Sequence, residues 1–153
     1  LLAPFVSDPV LLSGSARECA LTRSVASFVR APADTRLVDL AGTLTLGEFI
    51  ALLDSASLLI ANNSGPVHLA AALGTPVVDL YALTNPQHTP WMTPHRVLYR
   101  DVPCRWCYRA DCPEGHHACL RGVPPGDVAQ AARELLGPAG AAPPPSSSPP
   151  APR

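Results

Sequence analysis

The run from Ser57 to Tyr81 constrains the fold more than any other stretch of the chain. Leu58-Leu59-Ile60-Ala61 is a short apolar run, as expected of a strand buried on both faces. Asn62-Asn63-Ser64-Gly65 is a turn cluster. Pro66 stands where a helix accepts proline, at its first position, because that N–H would have no partner in any case. Val67 to Leu73 predicts a short helix, and Gly74 supplies the left-handed stop. Pro76-Val77-Val78-Asp79-Leu80-Tyr81 begins the next strand. Strand, polar loop, helix and strand make one βαβ unit, whose chemistry lies at the loop. A helix N-terminus offers unpaired N–H groups and partial positive charge, which suit a phosphate. Ser64 adds a hydroxyl, Gly65 lets backbone approach a ligand closely, and His68 falls in the first helical turn. The same residues also fit an ordinary capped helix with a surface histidine, and short motifs have many false positives.

The flanking sequence extends the alternation. Val10-Leu11-Leu12 is a strand candidate that ends at Ser13-Gly14-Ser15. Leu21, Val25, Phe28 and Val29 recur at helical spacing and predict an amphipathic helix from about Ala16 to Arg30. Ala31-Pro32-Ala33-Asp34 reads as a loop, Leu37-Val38-Asp39-Leu40 as a strand and Ala41-Gly42-Thr43 as a turn. Leu46, Phe49, Ile50 and Leu53 mark a helix from about Thr45 to Ser55, with Thr43 or Thr45 as cap. This alternation predicts an α/β fold, a Rossmann-like parallel sheet with helices on both faces. Ligands in such sheets bind at the carboxyl ends of strands, where Gly14, Gly42 and Asn63-Ser64-Gly65 all lie.

After Tyr81, prolines at 86, 90 and 94 predict a loop containing Trp91, which fits a pocket cover or a core plug and is read as core, and His88, read with His95 as solvated. Arg96-Val97-Leu98-Tyr99 is a further strand. Val128, Ala131, Ala132, Leu135 and Leu136 predict a closing amphipathic helix after Pro124-Pro125, ended by Gly137-Pro138. The expected domain covers residues 1–138, with a Cys-rich loop at 103–120. Residues 139–153 are rich in Ala, Pro and Ser, a composition expected to remain disordered.

Cys104, Cys107, Cys112 and Cys119 give C-x2-C-x4-C-x6-C, a spacing compatible with a tetrahedral structural zinc, with His116 or His117 able to replace one thiol. Reduced structural thiols are the other reading; no secretory signal is visible, so disulfides are disfavoured. Net charge is −1, with eleven arginines and no lysine, which makes no case for nucleic acid. No apolar run reaches the roughly 18 residues of a membrane span. The opening Leu1-Leu2-Ala3-Pro4 lacks an initiator methionine, so the chain is expected to be the tail end of a longer protein.

The segment Asn63-Ser64-Gly65-Pro66-Val67-His68-Leu69-Ala70-Ala71-Ala72 resembles the D-[ST]-G-x-x-H-x-A-A-A signature of glycosyltransferase family nine, the heptosyltransferase-like enzymes. Tyr81-Ala82-Leu83-Thr84-Asn85-Pro86 resembles that family's F-G-x-T-x-P segment, without its glycine. Cys104-Arg105-Trp106-Cys107, Cys112-Pro113 and Cys119-Leu120 resemble its C-x-x-C…C-P…C-[LM] segment. The resemblance runs from about Val10 to Gly137. It implies the carboxy-terminal, donor-binding domain of a GT-B glycosyltransferase. Such an enzyme moves a heptose or related sugar from an ADP-heptose-like donor to a lipid-linked or lipopolysaccharide-type acceptor. By this resemblance Glu18 contacts the ribose, Leu44 and Thr45 lie against the adenine, and Ser64, Gly65 and His68 hold the pyrophosphate region. The signature aspartate contacts the donor sugar; Asn63 stands in its place, keeping the shape and one acceptor but not the charge, which leaves the sugar open.

The resemblance places the catalytic base in the amino-terminal, acceptor-binding half, so no catalytic residue is assigned here and the chain is expected to be inactive alone. The family also has a Gly/Thr-rich loop and a lysine near the phosphates; this chain has no lysine. It implies no cofactor for the chemistry, and a cytoplasmic location, in solution or peripheral at the inner membrane. Two other classes stay open: a non-catalytic nucleotide-sugar-binding module, and a zinc-stapled interaction protein working through the cysteine loop.

Overall fold

The computed structural model describes residues 9–29, 36–85, 87–109 and 111–137. The loop expected at 31–34 and the tail expected at 139–153 lie outside the described residues. The chain divides between Ala51 and Leu52 into two compact units.

In the first unit, β1 (Val10–Leu12) pairs in parallel with β2 (Leu37–Asp39), Val10 opposite Leu37. Between them the chain makes one 3-10 turn, Ala16–Glu18, and then α1 (Cys19–Phe28). The expected single helix therefore starts as a tighter turn, and its far end at Arg30 lies outside the described residues. Its apolar stripe is not core: Leu21, Val25, Phe28 and Val29 are exposed, Phe28 by 80%. The buried residue is Thr22, whose hydroxyl donates to the Asp39 carboxylate at 2.9 Å. Two three-residue strands are too small to cover the whole helix, and they take the side that carries this polar pair. Gly42 (φ +72°) turns the chain after β2, and its amide donates to the Gly14 carbonyl at 2.9 Å. The loops after both strands are thereby joined.

Helix α2 (Leu46–Ser55) crosses the boundary between the units. Leu53 is buried and Phe49 and Ile50 are half-buried, but Leu46 is exposed. Thr45, not Thr43, is its cap: the Glu48 amide donates to the Thr45 hydroxyl at 3.3 Å, and the Thr45 amide donates back to the Glu48 carboxylate at 2.8 Å.

In the second unit, β3 (Leu59–Asn62), β4 (Val77–Leu80) and β5 (His95–Leu98) form a parallel sheet in that order. Helix α3 (Gly65–Leu73) joins β3 to β4, and Gly74 (φ +82°) ends it in the left-handed conformation expected. β3 is only half-buried, whereas Val77, Val78 and Asp79 of β4 are fully buried. The reason is position: β4 is central and β3 lies at an edge. Burial of each such valine contributes about 1.5–3 kcal/mol. Helix α5 (Pro125–Leu136) packs on β4 and β5 through buried Ala129, Ala131 and Ala132, with Val128, Leu135 and Leu136 half-buried. Arg96 of β5 reaches Glu134 of α5 at 3.0 Å. Among the described residues no helix is long and apolar enough to cross a membrane.

Trp91 is 79% exposed, so the expectation that it plugs the core is corrected. The tryptophan that reaches the core is Trp106, packed with Tyr99, Val102 and Cys119 against buried Tyr81, Leu83 and Val97. His95 opens β5 and is half-buried, its Nδ1 within 2.8 Å of the Thr93 carbonyl, rather than solvated in a loop. A short helix in the Cys-rich segment, α4 (Ala118–Arg121), has no counterpart in the sequence reading.

Candidate functional site: the loop between β3 and α3

β3 ends at Asn62, and the chain turns through Asn63 and Ser64 into α3. Ser64 is the N-cap residue, but its hydroxyl donates back to the Asn62 carbonyl at 2.9 Å and caps no amide. Pro66 sits in the first turn, where its missing N–H costs nothing. Gly65 opens the helix with ordinary helical backbone, and a Cβ placed there would meet nothing within 4 Å. Glycine is therefore not needed for the turn itself. What Gly65 leaves is open space beside the positive end of α3.

Asn63 and His68 are brought to one neighbour, His88. The Asn63 Nδ2 donates to the His88 carbonyl and, at 2.8 Å, to the buried Asp79 carboxylate. The His68 ring meets the His88 ring edge-on, with centroids 6.5 Å apart. The His88 segment is fixed in turn. Its amide donates to the Asn85 carbonyl at 3.1 Å, its Nε2 lies 3.1 Å from the Asn85 carboxamide nitrogen, and the Gln87 amide donates to Asn85 Oδ1 at 3.1 Å. Burial pushes the Asp79 carboxyl up to about 6, against the Asn63 hydrogen bond that lowers it. Asp79, Asn85 and His88 were not among the expected site residues. Asn85-Pro86-Gln87-His88 carried a turn signal in the sequence, but nothing marked its position against Asn63.

The first unit carries the remaining candidates. Glu18 is exposed, and one carboxylate oxygen accepts both the amide and the hydroxyl of Ser15 at 2.7 Å. These bonds, backbone first, hold its carboxyl below the usual range. Ser15-Ala16-Arg17-Glu18 is a capping box, a signal present in the sequence and missed there. Leu44 is half-buried in the turn before α2, and the exposed Thr45 is engaged with Glu48, whose carboxyl is lowered by the Thr45 side chain and then by its amide.

The cysteine loop does not bear out a zinc. Among the described residues no group of three or more His, Cys, Asp or Glu side chains is placed to hold a metal ion. Cys104, Cys107, Cys112 and Cys119 line one cavity with His116 and His117, and all four are free thiols. Two of them are turned to separate partners: Cys104 Sγ to His116 Nε2 at 3.8 Å, and Cys112 Sγ to the His117 amide at 3.4 Å. The Ala118 amide donates to His116 Nδ1 at 3.0 Å, so a neutral His116 presents an N–H, not a lone pair, to Cys104. The loop also makes core contacts. Val102, Trp106 and Cys119 pack inward, and the amides of Trp106 and Tyr108 donate to the carbonyls of Leu83 and Thr84 at 2.7 and 3.1 Å.

The family model of glycosyltransferase family 9 (heptosyltransferase) matches residues 9–118. Lipooligosaccharide heptosyltransferase 2 of Campylobacter jejuni is 34% identical over 94 residues, which cover 60% of this chain and 28% of that protein. Lipopolysaccharide heptosyltransferase 2 of Escherichia coli K12 is 28% identical over 128 residues, 83% of this chain and 37% of the relative. The solved E. coli ADP-heptose LPS heptosyltransferase II aligns with a TM-score of 0.68 at 27% identity, over 84% of this chain and 36% of that one. The chain thus spans well under half the length of these relatives, and the aligned region is their carboxy-terminal portion. Parallel strands alternating with helices are common to this chain and to those GT-B structures. On these matches the chain belongs to glycosyltransferase family 9, a family of glycosyl-transferring enzymes.

Proposed function

We propose that this chain is the donor-binding half of a heptosyltransferase. The complete enzyme moves a heptose or related sugar from a nucleotide donor to a lipopolysaccharide-type acceptor, in the cytoplasm or at the inner membrane. The observation that carries the reading is the open space at Gly65, at the positive end of a nine-residue helix whose cap hydroxyl is turned away. A diphosphate placed there meets the helix end together with Ser64 and His68. As the sugar leaves, negative charge grows on the diphosphate, and fixed amide dipoles stabilise it without reorganising. Glu18 is assigned to the ribose, Leu44 and Thr45 to the adenine and Asn63 to the sugar. Glu18 keeps one carboxylate oxygen outside its bonds to Ser15, as that role requires. The acceptor and the catalytic base are assigned to an amino-terminal half, and the chain by itself is a binding unit within residues 1–138.

Calorimetric titration of ADP into wild-type and Gly65→Val protein tests the reading. Weak binding is expected in the wild type and none in the variant, while the melting temperature changes little because no protein atom lies within 4 Å of the new Cβ. Sugar transfer is expected only when the amino-terminal half is supplied. Equal ADP affinity in both proteins, or transfer by this chain alone, would show that the site or the division of labour is wrong.

A further inference from the structure

Asn63 has three hydrogen-bonding ends, and two are already committed. Both protons of its Nδ2 are directed to acceptors, the Asp79 Oδ2 at 2.8 Å and the His88 carbonyl. A backbone carbonyl can only accept, and so can an ionised carboxylate. The end of the carboxamide facing them must therefore be the NH2, which fixes which way the amide is turned. Oδ1 is left as the end that takes no hydrogen bond within the described residues. Asp79 is held firmly in place beside it, fully buried in the central strand between the fully buried Val78 and β4's last residue Leu80. Its second oxygen, Oδ1, is buried with no partner among the described residues. A buried carboxylate with an unpaired oxygen is costly in a core. Among the described residues, the one hydrogen bond of its carboxylate is the one that orients Asn63.

We propose that Asp79 is a positioning residue that sets the Asn63 carboxamide with its carbonyl oxygen free to accept a hydroxyl proton from the donor sugar. The proposal rests on the donor-binding reading above and deepens it. The helix end recognises the anionic diphosphate, and Asn63 Oδ1, an acceptor with no positive charge, recognises a hydroxyl. It cannot serve as a second phosphate contact.

Titrating ADP and ADP-heptose separately into the 153-residue chain tests this. The wild type is expected to bind ADP-heptose more tightly than ADP by roughly three- to tenfold, the worth of one neutral hydrogen bond. Asp79→Ala should erase that excess and leave ADP affinity within about twofold. Asp79→Asn should keep it, because the new carbonyl still accepts from Asn63 Nδ2. Should Asp79→Ala not fold, the Asn63 side-chain amide protons of the wild type carry the test by NMR. ADP-heptose is expected to shift them and ADP to leave them in place. A loss shared equally by both ligands in Asp79→Ala, loss of the excess in Asp79→Asn as well, or Asn63 protons indifferent to ADP-heptose would each overturn the proposal. A wild type that binds ADP but does not prefer ADP-heptose also overturns it, and leaves the donor reading standing. A wild type that binds neither ligand sinks the donor reading, and the proposal with it.

Discussion

The Tyr81 hydroxyl donates to the carbonyl of Asn85 and accepts the amide of the same residue at 3.1 Å. Tyr81 is fully buried, and it ties the start of the His88 turn to the core of the second unit. Tyr81→Phe would leave both backbone groups of Asn85 without that partner. The expected cost is about 1–3 kcal/mol, read by chemical denaturation. Burial also pushes the Tyr81 hydroxyl up to about 12. The unfolded chain ionises this tyrosine near its ordinary value of 10.0, so the native state holds the proton longer. Stability should therefore fall as pH rises from about 10 towards about 12, and the phenylalanine variant should lose this contribution to the slope. A variant as stable as the wild type would show that the Asn85 groups find other partners.

Asp79 gives a second pH signature. Its carboxyl has an ordinary value of 3.8 and stands at about 6 in the native chain, chiefly because of burial. Between these values the native state binds the extra proton. The contribution of Asp79 to stability is fully present below about 3.8 and is lost as pH rises through about 6. Asp79→Asn should flatten that segment of the melting-temperature profile and raise stability at pH 7. Parallel profiles for variant and wild type between pH 4 and 6 would contradict the assignment.

The strand–loop–helix–strand core was legible because it is local. An apolar run, a turn cluster, an early proline and a stop glycine all describe the backbone within 25 residues, and the structure has β3, α3, Gly74 and β4 where they indicate. What the sequence could not show was position in the sheet. Leu59 and Val77 read alike, yet one lies on the edge strand and the other on the central one. The Asn63–Asp79–His88 arrangement was illegible for the same reason. These residues are 16 and 25 positions from Asn63, and only the parallel pairing of β3 with β4 brings Asp79 beside the loop. The helical period of Leu21, Val25 and Phe28 was real, but period alone does not say whether anything covers the stripe. In the cysteine loop, spacing permitted a metal, but spacing does not give side-chain directions, and among the described residues these bring no three ligating groups together, while Trp106 and Cys119 make core contacts.

The cysteine loop yields a prediction about reactivity. Amides of the turn after Cys112, His117 above all, hold its thiol below the usual value, while burial pushes the Cys119 thiol up. The thiolate is the reactive form, so at pH 7.5 iodoacetamide should label Cys112 well before Cys119. Peptide mass spectrometry of a time course reads the order. Cys119 labelling first, or at the same rate, would show that the turn does not stabilise a thiolate at Cys112.

Gly42 and Gly65 should respond to substitution in opposite ways, although both follow strands of parallel sheets. Gly42 has φ +72°, and a Cβ there would lie 3.0 Å from the Ala16 Cα and 3.1 Å from the Cys19 Sγ. The left-handed backbone alone costs a non-glycine residue about 1–2 kcal/mol. The close approach to Ala16 backbone adds to it, since that atom belongs to the turn between Ser15 and Glu18 and cannot move without opening the capping box. The Cys19 thiol is no freer, because it donates to the Ala41 carbonyl at 3.4 Å. Gly42→Ala should therefore destabilise the chain by about 2–4 kcal/mol, the sum of backbone strain and overpacking. Gly65→Ala should cost nothing, or stabilise slightly, because alanine favours helix and its methyl group meets open space. Urea denaturation of the two alanine variants beside the wild type makes the comparison. Near-equal stability of all three would mean that the turn after β2 tolerates a side chain, and that the tight approach between Gly42 and Ala16 is not a determinant of the first unit.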